Sequence, residues 1–158
     1  MSRLHKTASR RASNALPDPG GLLPLPCACA NIRRLSRLVT RLYDAELRDS
    51  DLEVTQFGVL SVLNKLGEAT HGEIARGLGM DSTTMTRAVA VLERRGWVAR
   101  RHGRDRRQRI YAITPDGRRQ VEAARAGWRR AQDRLSGVLG NETLIALAAA
   151  TARMTAAR

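Results

Sequence analysis

The chain has 158 residues, of which 28 are Lys or Arg and 15 are Asp or Glu, and its formal net charge at pH 7 is +13. This length predicts one domain with appended arms, and the charge favours a polyanionic partner such as a nucleic acid. No apolar run approaches the roughly 20 residues of a membrane span. With an aromatic content of 3%, the chain also lacks the bulky aromatic residues of a helix that lies on a membrane surface. We therefore expect no membrane partner.

Residues 1–26 are predicted to form a disordered basic leader, because they are rich in Ser, Ala, Pro and Gly and lack hydrophobic periodicity. The Arg pair at 10–11 is not followed by a continuous apolar stretch, since Pro17, Asp18 and Pro19 interrupt it. We expect neither a secretory nor a twin-arginine signal, and hence a cytoplasmic protein. The two cysteines, in one Cys-Ala-Cys triplet, form no disulfide framework.

Two helices are predicted first, over about residues 28–48 and 54–66. A polar run, Asp49 to Asp51, separates them, and Gly67 ends the second. Apolar residues at steps of three and four predict one apolar face on the first helix and an inward-facing side on the second. In the first helix these residues are Ile32, Leu35, Leu38, Val39, Leu42, Tyr43 and Leu47.

The next two helices are short and are joined by a tight turn. Thr70 and Glu73 have the spacing of a capping box, Gly79 ends the third helix, and Asp81 is suited to cap the fourth. Such a pair is typical of a helix-turn-helix. The fourth helix is predicted to turn Met85 and its helical neighbours Val89 and Leu92 towards a core, and a small, polar, cationic face outwards.

A basic hairpin is predicted next, since residues 97–101 and 109–114 are strand-like and bracket the tip HGRDRRQ. The sequence Thr114-Pro115-Asp116 predicts the start of a long helix that reaches about Leu139, and Asn141 is predicted to cap a last helix. The fold class is therefore mainly α with a small β-hairpin wing, a winged helix-turn-helix. The long helix carries a heptad-like apolar seam: Val121, Ala124, Trp128, Ala131, Leu135 and Val138.

Three segments of the chain resemble the MarR family of bacterial transcription regulators. They are residues 52–63 (LEVTQFGVLSVL), residues 72–98 (GEIARGLGMDSTTMTRAVAVLERRGWV), and the wing Asp105-Arg106-Arg107 with the following Ile113-Thr114-Pro115. The resemblance covers about residues 27–158. It implies an obligate homodimer, in which helices at about 28–48 and 115–157 interlock and a winged domain at about 54–114 projects from each side.

The resemblance also implies that the partner is double-stranded DNA. The recognition helix then enters the major groove, and its candidate contacts are Ser82, Thr83, Thr84, Thr86 and Arg87. In the family, the arginine matching Arg107 lies in the minor groove, and the aspartate matching Asp105 holds the wing in shape; Arg104 and Arg106 are candidate phosphate neighbours. From Arg94 to Arg109 the sequence holds eight arginines and one aspartate. A dimer predicts a pseudo-palindromic operator with half-sites about one helical turn apart, and the family's common mode is repression.

The sequence leaves open which signal would release the protein from DNA. Cys29 precedes Tyr43 in the first helix, which is similar to the organic-hydroperoxide sensors of the OhrR branch; that branch has a second tyrosine near its cysteine, where Arg33 stands here. Cys27 and Cys29 have three open roles: inert small hydrophobes, a redox switch through a sulfenic acid or an intersubunit disulfide, or a metal site, for which no histidine has ligand-like spacing. A small-molecule effector, often an aromatic anion in this family, is the alternative signal.

Two other functions fit the composition. A basic protein that binds RNA or other nucleic acid non-specifically would show no preference for a palindromic duplex, and it would leave the wing motif unexplained. A small thiol peroxidase is the enzymatic alternative. Because the sequence shows no glycine-rich phosphate loop and no paired acid and base, we expect a regulator without enzymatic activity, cofactor or metal.

Overall fold

The computed structural model describes residues 27–103, 105 and 108–157. The chain divides into a unit of residues 1–35 and a unit of residues 36–158, and in the first unit the structure describes only residues 27–35. The predicted leader, residues 1–26, lies outside the described residues. The elements are α1 (Ala28–Leu47), a 3-10 turn (Arg48–Ser50), α2 (Val54–Leu66), β1 (Glu68–Thr70), α3 (His71–Leu78), α4 (Ser82–Arg94), β2 (Val98–His102), β3 (Arg109–Ile113), α5 (Pro115–Leu139) and α6 (Asn141–Ala156).

The predicted fold class, mainly α with a small β-hairpin wing, is confirmed. The hairpin strands β2 and β3 are joined by a third strand, so that the antiparallel sheet has the order β1-β3-β2. Tyr111 on the central strand lies opposite Ala69 on one side and Arg100 on the other. The sequence did not predict β1, because three residues are too few for an alternating pattern to show.

The core lies where α2, α3, α4 and the sheet meet. Leu60, Leu63, Ile74, Met85 and Leu92 are all 0% exposed, and the helical spacing of α4 predicted that Met85 and Leu92 face inwards. Burying such side chains contributes about 1.5–3 kcal/mol each to folding. The core therefore fixes the orientation of α4, whose other face is left for a partner.

Hydrogen-bonding side chains set where the helices begin. The predicted capping box is confirmed: the amide of Glu73 donates to Thr70 Oγ1 (3.2 Å) and the amide of Thr70 donates to Glu73 Oε2 (2.8 Å). The Thr70 hydroxyl and then the Thr70 amide lower the pKa of Glu73. Helix α2 takes a cap from another element, since its first amide, of Val54, donates to Asp44 Oδ1 (2.7 Å). Such local bonds satisfy amides that a helix start otherwise leaves without a partner.

The predicted cap of the last helix is wrong by one residue. Gly140 is the N-cap of α6, Asn141 is its first residue, and no side-chain cap bond forms there. Gly140 has a φ of 76°, a backbone conformation that glycine adopts without steric cost. The chain therefore turns at the glycine, and the asparagine side chain comes too late to cap the helix.

No single helix in the described part of the chain is both long and apolar enough to cross a membrane. Helices α5 and α6 meet those criteria only when taken together, and the pair is bent by 101°.

Candidate nucleic-acid interface

Helix α4 presents one buried and one exposed face. Asp81 caps it, as predicted, because the amide of Thr84 donates to Asp81 Oδ1 (2.8 Å). Met85, Val89 and Leu92 are buried in the core. The exposed side carries the side chains that the sequence singled out for DNA: Ser82, Thr83, Thr84, Thr86 and Arg87. The helical period thus separates an anchoring face from a face of hydroxyl and guanidinium groups.

Two of the five candidate side chains already have partners within the protein. The Thr84 hydroxyl donates to Asp81 Oδ2 (2.7 Å), so its hydrogen is committed and only its oxygen lone pairs remain for a ligand. The Thr84 amide and then its hydroxyl lower the pKa of Asp81. Ser82 Oγ lies 3.5 Å from His71 Nε2. Within the described part of the chain, no ion pair is found for Arg87, and its guanidinium is therefore the cation of this face.

A groove of about 280 Å³ lies between the start of α2 and helix α4. Thr55 and Gln56 of α2 line one side of it, and Thr84 and Arg87 of α4 line the other. Sequence reasoning assigned no role to Thr55. The one local signal that could have indicated it is a hydroxyl group at the second position of a helix, and its relevance depends on α4 lying beside it.

The wing is closed by two backbone hydrogen bonds. The amide of Gly103 donates to the carbonyl of Gln108 (2.9 Å), and the amide of Gln108 donates to the carbonyl of Asp105 (2.9 Å). Asp105 is exposed. The predicted contacts Arg104, Arg106 and Arg107 lie outside the described residues.

The arginines near the wing do not form one uniform cationic surface. Arg95 donates to the carbonyl of Asp51 (2.6 Å), and its guanidinium carbon lies 4.9 Å from the centre of the Trp97 ring. Arg100 and Arg101 form ion pairs with Glu93 (3.2 Å) and Glu68 (2.6 Å). The sequence count of eight arginines gave no means of separating these three, which have partners within the protein, from the other five.

A second cavity of about 520 Å³ lies between α2 and α5. The rings of Phe57 and Trp128 line it and are stacked with centroids 6.3 Å apart. Lys65 and Arg125 are also in its walls. Aromatic faces with nearby cations suit a flat, anionic ligand.

The predicted sensor residues have different environments. Cys27 and Cys29 are exposed and carry free thiols. Tyr43 is 7% exposed, and burial raises the pKa of its phenol. Among the residues that the structure describes, no group of three or more metal-binding side chains occurs.

Comparison with known proteins identifies the family. A sequence model of the MarR family matches residues 50–108. The HTH-type transcriptional regulator YwoH of Bacillus subtilis is 32% identical over 91 residues, which are 58% of this chain and 66%, just under two thirds, of that relative's length. The transcriptional regulator MosR of M. tuberculosis, solved in complex with DNA, is 32% identical, with a TM-score of 0.73 over 84% of this chain and 98% of the other. The chain belongs to the MarR family of transcriptional regulators.

Another solved protein is similar to this chain in sequence and fold. Reduced AbfR bound to DNA is 31% identical, with a TM-score of 0.59 over 65% of this chain and 72% of AbfR. The matched proteins are transcriptional regulators and not enzymes, as the sequence predicted. In MarR terms, α3 and α4 are the helix-turn-helix and the β2–β3 hairpin is the wing.

Proposed function

We propose that this MarR-family chain is a cytoplasmic repressor that binds pseudo-palindromic operators as a homodimer. The observation that carries the proposal is the exposed face of α4, on which Thr83, Thr86 and Arg87 stand clear of the core. Arg is suited to guanine and Thr to a thymine methyl group in the major groove. The net charge of +13 supplies the sequence-independent attraction to phosphate, and MosR and AbfR, which share the fold, were both solved with DNA.

Exposed apolar side chains at the end of α5 and on α6 support the homodimer. Val138, Ile145 and Met154 are 77%, 69% and 71% exposed. Only the first part of the predicted α5 seam is buried within the chain, at Val121, Ala124 and Ala131. Large apolar side chains left in water are typical of a surface that a second protein covers, and a second copy is the partner that the family resemblance implies.

Selection of bound duplexes from a random pool tests the operator prediction. We expect an inverted repeat with half-site centres about one helical turn apart. Arg87→Ala and Arg107→Ala are each expected to weaken binding to the selected duplex by about 5- to 150-fold, which corresponds to 1–3 kcal/mol, without changing the dimer mass in light scattering. Arg119→Ala, which removes the same charge from α5 and a partner of Asp116, is the control. Binding without sequence preference would instead identify a general nucleic-acid-binding protein.

We further propose that a signal releases the DNA, through either the cysteines or the cavity between α2 and α5. For the oxidant, the relevant facts are the exposed thiols of Cys27 and Cys29 and the solved reduced state of AbfR. Cumene hydroperoxide is expected to release DNA from the wild type and not from Cys29→Ser. An equal response of the two proteins excludes Cys29 as the sensor.

For a small-molecule effector, the supporting observation is the aromatic and cationic lining of the cavity between α2 and α5. Salicylate, used as a probe, is expected to weaken DNA binding and to quench the fluorescence of a Trp97→Phe variant, in which Trp128 is the remaining tryptophan. Arg125→Gln is expected to reduce both effects. If salicylate leaves the fluorescence and the DNA affinity unchanged while hydroperoxide releases the DNA, the oxidant is the signal.

A further inference from the structure

Two consecutive arginines of the wing are each held by a carboxylate from a different element. Side chains of neighbouring strand residues point to opposite faces of a sheet, so Arg100 and Arg101 leave β2 in opposite directions. Arg100 Nε lies 3.2 Å from Glu93 Oε1, and Arg101 Nη2 lies 2.6 Å from Glu68 Oε1. Strand β2 therefore forms an ion pair on each of its two faces.

The pair on one face spans the whole sheet. Glu68 belongs to the edge strand β1 and Arg101 to the other edge strand, β2, with β3 between them. The contact has two points, because Arg101 Nε also donates to Glu68 Oε2 (3.3 Å). In the register, Glu68 lies opposite Ala112 and Ala112 lies opposite Ala99. Arg101 itself lies opposite Ile110, so its side chain reaches Glu68 diagonally, across the row that Ala112 and Ala99 occupy.

The pair on the other face joins the wing to the recognition helix. Glu93 lies in the last turn of α4, and Arg100 lies in the middle of β2. The Glu93 side chain is 28% exposed, the more sheltered of the two carboxylates. A rotation of the wing about its base would have to break this contact.

We propose that Glu68 and Glu93 are positioning residues for DNA binding. Glu68 acts through Arg101 to hold β2 against the far edge of the sheet, and Glu93 acts through Arg100 to hold β2 against α4, so that together they fix the wing relative to the recognition helix. This inference rests on the proposed function, in which α4 and the wing enter neighbouring grooves of one duplex. Two elements that must reach two grooves at once bind more tightly when their spacing is set before binding, because less conformational freedom is lost.

The direction in which a Glu→Gln substitution changes the DNA affinity distinguishes a positioning role from a purely electrostatic one. A carboxylate beside DNA repels phosphate, so removing it by Glu→Gln strengthens binding if charge alone matters, and frees an arginine for phosphate besides. If the carboxylate positions the wing, the same change weakens binding. Exposed ion pairs contribute up to about 1 kcal/mol, and we therefore expect a loss of about threefold from each Gln variant. The double variant is expected to lose about tenfold if the two ion pairs act independently.

The test uses the full chain and its selected duplex, with affinity measured by fluorescence anisotropy over a series of salt concentrations. The variants are Glu68→Gln, Glu93→Gln, Arg101→Gln, and the charge exchange of Glu68→Arg with Arg101→Glu. Glu122→Gln is the matched control, because Glu122 pairs with Arg125 on α5 (2.9 Å) and the substitution changes the net charge equally. Circular dichroism checks that each variant remains folded.

We expect Glu68→Gln and Arg101→Gln to weaken DNA binding equally and to leave its salt dependence unchanged. The charge exchange is expected to restore the affinity to within about twofold of the wild type, and Glu122→Gln to leave the affinity unchanged. Tighter binding by Glu68→Gln overturns the proposal. A salt slope reduced by about one in Arg101→Gln also overturns it, because Arg101 is then a phosphate contact. If the wild-type protein binds all duplexes with equal affinity, the proposed function itself is overturned, and this inference with it.

Discussion

Helix α5 passes so close to the end of α1 that only glycine fits at position 127. A Cβ atom there would overlap with the carbonyl oxygen of Glu46 and lie 3.1 Å from its carbonyl carbon. The overlap involves backbone atoms, which rotation of a side chain cannot relieve. Glu46 is also bound by Arg130 (2.9 Å) and Arg134 (2.7 Å) of α5, so a displaced backbone strains these ion pairs as well.

Gly127→Ala is therefore expected to destabilise the protein. Overpacking costs about 1–3 kcal/mol, whereas replacing a mid-helix glycine by alanine stabilises a helix by about 1 kcal/mol. The second effect is isolated by Gly137→Ala on the same helix, where no atom lies within 4 Å of an added Cβ. Gly137 lies in the last turn of α5, so its gain in helix propensity is at most that of Gly127. The difference between the unfolding free energies of the two variants therefore gives a lower bound on the overpacking, which we expect to cost about 1–3 kcal/mol.

Urea unfolding followed by far-UV circular dichroism measures this difference. All proteins are compared at one concentration, because the stability of a dimer depends on concentration. We expect Gly137→Ala to unfold at higher urea than the wild type, and Gly127→Ala to unfold at the lowest concentration of the three. Equal midpoints for the two variants would refute the close approach of α5 to the end of α1.

Two further predictions concern single contacts. Thr114→Val is expected to lower the unfolding free energy by about 1–2 kcal/mol. The reason is that Thr114 Oγ1 accepts a hydrogen bond from the Gly117 amide (3.0 Å) and donates one to the Gly96 carbonyl (2.8 Å). Urea titration measures the change, and an unchanged unfolding midpoint would contradict the prediction. Hydrogen bonds from Arg134 and Arg130 lower the pKa of Glu46 from its ordinary 4.5. The ionised Glu46 side chain therefore contributes to the stability of the folded protein above pH 4.5, and this contribution is lost as the pH falls through the folded-state pKa. Between pH 7 and pH 3, the melting temperature should therefore fall less for Glu46→Gln than for the wild type. An equal fall in the two proteins would show that Glu46 does not contribute to the acid sensitivity.

The wing arginines show how far sequence reasoning reached at the interface. The count of arginines and the Asp-x-Arg motif predicted a basic wing. They did not separate Arg100 and Arg101, which are paired with Glu93 and Glu68, from arginines available to DNA. An ion pair depends on which strands and helices meet, and the partners Glu68 and Arg101 are 33 residues apart in the chain.

The sequence by itself determined the features that depend on neighbouring residues. Helical spacing placed Met85 and Leu92 in the core, and the capping box at Thr70 and the cap at Asp81 fixed two helix starts, because these bonds join residues three apart. Only the tertiary structure decided that Asp44 caps α2, that a third strand completes the sheet, and that α5 meets Glu46. Those contacts join residues distant in the chain, and they depend on how the helices pack, which no local pattern encodes.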